Sequence, residues 1–100
     1  MSGLSEPVFI HLVLFKIKKK NVPVYLRDCR LWAREAKKHS GFIGYKTLFR
    51  TNEKGQFASM YMWKKEAAHH RFMKKHHDRL VSLSHCPVEV VGYYNFVSHS

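Results

Sequence analysis

The chain has 100 residues, 45% of them hydrophobic and 25% charged, the balance of a soluble globular domain rather than of a disordered or low-complexity chain. No apolar run reaches the ~18 residues needed to cross a bilayer, and two cysteines, Cys29 and Cys86, are too few and too far apart for a disulfide framework or a zinc knuckle. The formal net charge of +11 is the largest departure from average and favours anionic partners such as nucleic acid, phosphates or acidic metabolites.

Residues 1–7 read as a flexible N-terminus, 8–97 as a single domain and 98–100 as a tail. The opening MSGLSEPVF has no basic segment leading into an apolar one, so a cytoplasmic location with reduced thiols and no membrane partner is expected. Residues 7–18, PVFIHLVLFKIK, are rich in β-branched and aromatic side chains and end in charge, the pattern of a strand. The period then changes. Tyr25, Cys29, Trp32 and Ala36 recur at four, three and four, one face of a helix, with Arg27, Arg30, Arg34, Lys37 and Lys38 on the other side. Trp32 is assigned to packing. Gly41 follows KKHS, as glycine does where a helix ends.

Residues 42–51 and 55–64 read as two strands joined by NEKG, a hairpin. A helical period returns over 65–84 through Ala68, Phe72, Met73, Leu80 and Leu83. Residues 87–97 are a last strand with Pro87 at its start, where proline is tolerated. The order βαββαβ predicts an α+β, ferredoxin-like fold, a four-stranded antiparallel sheet with two helices on one face.

The strands are apolar on both faces. Phe9, Val13 and Phe15 alternate with Val8, Ile10, Leu12 and Leu14, and Phe57, Tyr61 and Trp63 oppose Ala58, Met60 and Met62. In the last strand, alternation groups Val88, Val90, Tyr94 and Phe96 against Val91, Tyr93 and Val97. Two helices cover one side only, and a half-solvated sheet should alternate apolar with polar. The second face needs a cover, and another copy of the same sheet is the simplest one. A homodimer is expected.

Eight histidines are the strongest chemical signal. They do not suit a metal: His69 to His76 and His70 to His77 are seven apart, about 10 Å along a helix, where chelation asks for four. Proton transfer suits them better. His76 lies four after Phe72 and four before Leu80, on the apolar face, and His77 flanks it. His11 shares a strand face with Phe9 and Val13. If that face looks toward the helices, His11 and His76 or His77 converge on one pocket, which Tyr45, Trp63, Phe72 and Met73 would line. The competing reading makes His11 a hydrogen-bonded core residue and the second helix a basic, solvated one. His39, His69, His70, His85 and His99 are expected at the surface.

Gly41, Phe42 and Gly44, then Trp63, Glu66 and Ala67 at a strand-to-helix junction, carry a family likeness. With the βαββαβ order they resemble the dimeric α+β barrel superfamily in its antibiotic-biosynthesis-monooxygenase-like branch. FIHLVLFKIK is similar to the opening strand of its stress-responsive branch. The resemblance covers 8–97 and implies a homodimer with a cavity between sheet and helices. It implies a small cofactor-independent monooxygenase or cyclase-like protein acting on, or binding, an aromatic or apolar molecule. Carried over, a strand histidine and a helix histidine fall on His11 and His76 or His77, polarising a carbonyl or taking a proton from activated carbon. The haem-degrading pattern of the same superfamily lacks its asparagine and tryptophan here. A non-catalytic haem- or ligand-binding role, with His76 or His77 as ligand, is the alternative within the fold.

A third reading is an RNA-binding module of the same strand order. Val8, Phe9 and Ile10 begin as its first-strand signature does. Gln56 stands where the third strand should present an aromatic, and such a module must leave its sheet open.

Overall fold

The computed structural model describes residues 6–98, so His99, residues 1–5 of the N-terminal segment and Ser100 lie outside the description. Strand β1 (Phe9–Lys16) leads through a 3-10 turn (Lys19–Asn21) into helix α1 (Val22–Lys37). The β2–β3 hairpin (Phe42–Phe49, Gln56–Trp63), helix α2 (Glu66–Leu83) and strand β4 (Glu89–Val97) follow. The sheet order is β2-β3-β1-β4 with every neighbouring pair antiparallel, the ferredoxin-like arrangement expected from the sequence.

Local chemistry accounts for the element ends. Pro23 sits in the first turn of α1, where its missing N–H breaks no helical bond and its φ is already suited. Gly41 adopts φ +88° immediately before β2. A Cβ there would stand 2.9 Å from the Ala68 Cβ, so its lack of a side chain also lets α2 approach the start of β2. Its carbonyl accepts from Lys64 N at 2.7 Å, fastening both ends of the hairpin. Gly55, at φ +79°, turns the hairpin into β3.

Both helices cover the face bearing Phe9, His11, Val13, Tyr61 and Trp63. One core cluster joins Phe9, Ala36, Trp63, Ala68, Phe72 and Leu80, and a second joins Ile17, Tyr25 and Cys29 with Phe15 and Phe57. Full burial of a side chain such as Phe72 contributes about 1.5–3 kcal/mol each time.

The alternation reading of β4 needs one correction. Leu14 pairs with Gly92 but Phe15 pairs with Val90, leaving Val91 as an extra residue in a bulge. One extra residue inverts the facing of everything beyond it. Val90 therefore shares the helix-side face with Tyr93 and Asn95, while Gly92, Tyr94 and Phe96 lie on the opposite face beside Leu14, Leu12 and Ile10. Gly92 leaves room for the Tyr94 ring, which would meet a Cβ at 2.6–3.0 Å. That opposite face carries Ile10, Leu12, Met60, Met62, Tyr94 and Phe96, and no helix covers it.

Candidate active site

A cavity of about 280 Å³ lies between the sheet and the helices, with residues of both core clusters in its walls. Its lining is mostly apolar: Val13, Phe15, Trp63, Phe72 and Met73 take part. Exposed lining residues, among them Val81, Val88, Val90 and Tyr93, mark the opening between α2 and β4.

Two buried imidazoles stand inside it. His11 projects from β1 and His69 from the first turns of α2, at 7% and 6% exposure, and their ring centroids are 4.3 Å apart with planes tilted by 33°. His11 Nδ1 lies 2.7 Å from Asn95 Oδ1 on β4. With the amide oxygen accepting, Nδ1 donates and Nε2 keeps the basic lone pair. The His69 ring rests 5.3 Å from Phe9 and 6.3 Å from Trp63. Burial lowers the pKa of His11, against a partial upward push from Asn95, and the charge on His70 lowers it further. Burial brings His69 down to about 4, helped by repulsion from His11 and His70. Both are therefore neutral near pH 7, so each ring has an unprotonated nitrogen.

The remaining polar groups serve the walls. Ser59 Oγ receives the Tyr45 hydroxyl at 3.0 Å and pairs with Tyr25 at 2.8 Å. Burial raises the pKa of both tyrosines and lifts Tyr61 well above its ordinary value, so these phenols stay protonated. Trp32 Nε1 donates to Ser84 Oγ at 2.8 Å. Asp28 Oδ2 accepts from the backbone of His85 and Cys86 at 2.9 and 2.7 Å. Together these bonds moor the segment between α2 and β4 at the cavity. The Asp28 Oδ1 atom is buried, and its nearest cation is Arg27 Nη1 at 3.5 Å.

The sequence-predicted residues are only partly brought together. His11, Trp63, Phe72 and Met73 line the cavity, as does His77 at its edge. His76 does not. Its ring packs on His39 at 4.7 Å and Phe72 at 5.6 Å, and Arg79 donates to it at 3.0 Å. Helix geometry gives the reason: His69, Met73, His77 and Val81, four apart, form the row over the cavity, while Phe72, His76 and Leu80 form the next row, toward α1. Tyr45 stands behind the wall, its hydroxyl on Ser59. His69, expected at the surface, is buried beside His11, because it lies three before Phe72 and four before Met73. Trp32, assigned to packing alone, also lines the cavity. His70 and His85 are exposed and His39 half-buried.

A cavity of this size, just below the ~300–1,000 Å³ typical of ligand sites, does not enclose a haem, and of the two candidate ligands His76 lies outside it and His77 only at its edge. Nor do any three His, Cys, Asp or Glu side chains gather around a common point among the described residues.

No family model matches the chain, and no curated protein matches it. Solved structures do. MupZ from Pseudomonas fluorescens superposes with a TM-score of 0.73 at 12% identity, over 88% of this chain and 69% of its own. A conserved Bacteroides thetaiotaomicron protein, described as a possible oxidoreductase, gives 0.74 at 15%, over 94% of this chain and all of its own. An antibiotic biosynthesis monooxygenase gives 0.66 at 16%, over 92% and 97%. At such identities the likeness speaks for architecture. The chain shares the ferredoxin-like α+β fold of these structures, among them an antibiotic biosynthesis monooxygenase.

Proposed function

We propose that the chain is a small cofactor-independent catalyst of the monooxygenase or cyclase kind, whose chemistry begins with proton abstraction from an aromatic or apolar carbonyl compound. The observation that carries this reading is the pair of neutral, buried imidazoles at 4.3 Å in an apolar cavity, one of them oriented by Asn95. The lone pair on His11 Nε2 takes a proton from a carbon next to the carbonyl, leaving an enolate and an imidazolium. In ring closure, the enolate carbon attacks a second carbonyl of the same molecule and the new alkoxide takes the proton back. In the oxidative branch, an activated CH2 and dioxygen become a ketone and water, the substrate supplying the electrons. The apolar walls exclude water from the carbanion.

Two further parts complete the reading. A second copy of the chain covers the apolar sheet face that carries Leu12, Met60 and Met62. The protein works in the cytoplasm with Cys29 and Cys86 reduced, a reading supported by the absence of a disulfide between them. The sheet-reading RNA module is disfavoured, because the aromatics of β1 and β3 point to the helices and that open face is aliphatic on both strands.

The test uses 2-tetralone, deuterated next to its carbonyl, and follows loss of deuterium by NMR at pH 7. The wild type should accelerate exchange over buffer, and His11→Gln and His69→Gln should remove most of that gain, on the order of 100-fold for a general base. His76→Gln, outside the cavity, should keep it. Exchange at the buffer rate, or equal losses in all three variants, defeats the catalytic reading. Binding of 2-tetralone without exchange would favour a ligand-binding protein.

A further inference from the structure

The cavity makes no use of the charge. Most of the chain's 18 lysines and arginines lie on the 3-10 turn and the two helices. On the outward arc of α1 stand Arg30, Arg34 and Lys37, and on that of α2 Arg71, Lys74 and Lys75, all exposed. The ion pairs among the described residues engage Asp28, Glu35, Glu66 and Asp78 with Arg27, Lys38, Arg79, His70 and His77. None of the six outward cations has an acidic partner there. The two helices lie side by side: Arg79 reaches Glu35 at 2.7 Å, and His39 touches His76. The six therefore belong to one helical layer, on its side away from the sheet.

What this surface lacks identifies its partner. Among the described residues, the exposed large apolar ones on the helices are Val81 and Leu83, at the far end of α2, and the exposed aromatics Phe49, Tyr93, Tyr94 and Phe96 belong to strands. A membrane-surface helix needs an apolar face beside its cations. A protein interface needs an apolar centre. A single-strand binder needs aromatics on which bases stack. A surface of guanidinium and ammonium groups alone fits a regular array of phosphates, and a duplex presents one charge per about 1.7 Å of its axis.

We propose that the outward face of α1 and α2 binds the phosphate backbone of duplex nucleic acid without reading its sequence. Each cation that meets a phosphate releases a condensed counterion, so affinity falls steeply with salt. This surface is separate from the cavity and stands whether or not the cavity catalyses.

The experiment is fluorescence anisotropy of a short labelled DNA duplex against salt, with two triple variants that remove the same charge. Arg30→Ala/Arg34→Ala/Lys37→Ala should flatten the slope of log K against log salt by ~2.7, at 0.9 per lost contact. Lys16→Ala/Lys54→Ala/Lys64→Ala, at strand ends and in the hairpin, should leave it unchanged. Two unrelated duplex sequences should bind alike. Equal slope changes in both triples would mean a response to net charge without a defined surface, and would overturn the proposal. So would tighter binding to the matching single strand, or binding to anionic vesicles and not to DNA.

Discussion

Burying His69 as a neutral imidazole gives the fold a measurable weakness toward acid. In the unfolded chain the ring has its ordinary pKa of 6.5, and in the folded chain about 4. Between these values the unfolded state binds a proton that the folded state does not, so stability rises with pH across this window. The contribution is fully present above about 6.5, declines as pH falls toward 4, and stops changing below that. At about 1.4 kcal/mol per pH unit, the whole window is worth about 3 kcal/mol, and about 2 kcal/mol of it is lost between pH 7.5 and 5. His11, lowered by the same burial, acts in the same direction. Glu35 does not interfere: its hydrogen bonds from Lys38 and Arg79 hold it at about 2, so its own loss begins only below about 4.5. Urea unfolding at pH 7.5 and pH 5 measures the effect as a shift in midpoint at constant slope. His69→Gln, which cannot titrate, should remove much of the pH dependence and leave the shares of His11 and His76, whose pKa values are also lowered. If wild type and His69→Gln lose the same stability on acidification, His69 is not buried as a neutral ring, and the geometry claimed for the pair is wrong.

Two other perturbations probe the frame around the site. Met60→Glu puts a carboxylate in the middle of the open apolar sheet face. It should convert a dimer into a folded monomer by light scattering, with circular dichroism unchanged, and an unaltered dimer mass would refute the assignment of that face to a second copy. Ser59→Ala leaves the buried Tyr25 hydroxyl without its partner, while the half-buried Tyr45 keeps Thr47 Oγ1 at 3.0 Å. It should cost about 1–3 kcal/mol in thermal unfolding, and a loss within error would show that the Tyr25 hydroxyl finds water instead.

The fold was legible because several independent local signals agreed on it. Period-two runs, a period-3.6 run closed by Gly41, a glycine-ended hairpin and a proline-led final strand each admit one βαββαβ order. Even the two-faced apolarity of β1 and β3 was readable. The facing of β4 was not, since a bulge arises from pairing with Leu14 and Phe15 across the sheet, and Gly92, beside the extra Val91, is a local hint that a strand glycine gives without fixing where the extra residue falls. Strict alternation therefore placed Tyr94 with Val90, when the extra Val91 separates their faces.

The candidate site shows a different limit. The spacing that put His76 on the apolar face of α2 applies equally to His69, three before Phe72 and four before Met73. Spacing alone identifies an apolar arc about two rows wide. Which row meets the cavity and which meets α1 depends on how α2 crosses the sheet, and that is decided by Ala68 packing against Gly41 at one end and Leu80 entering the core at the other. Once α2 is set down there, the row from His69 to Val81 faces the cavity, with His69 carried to His11. Asn95, the group that orients His11, depends in turn on the bulge. Asn95 lies five residues after Val90 and would face away from it under strict alternation, so the same irregularity that hid the facing of β4 from the sequence is what brings an amide to the imidazole.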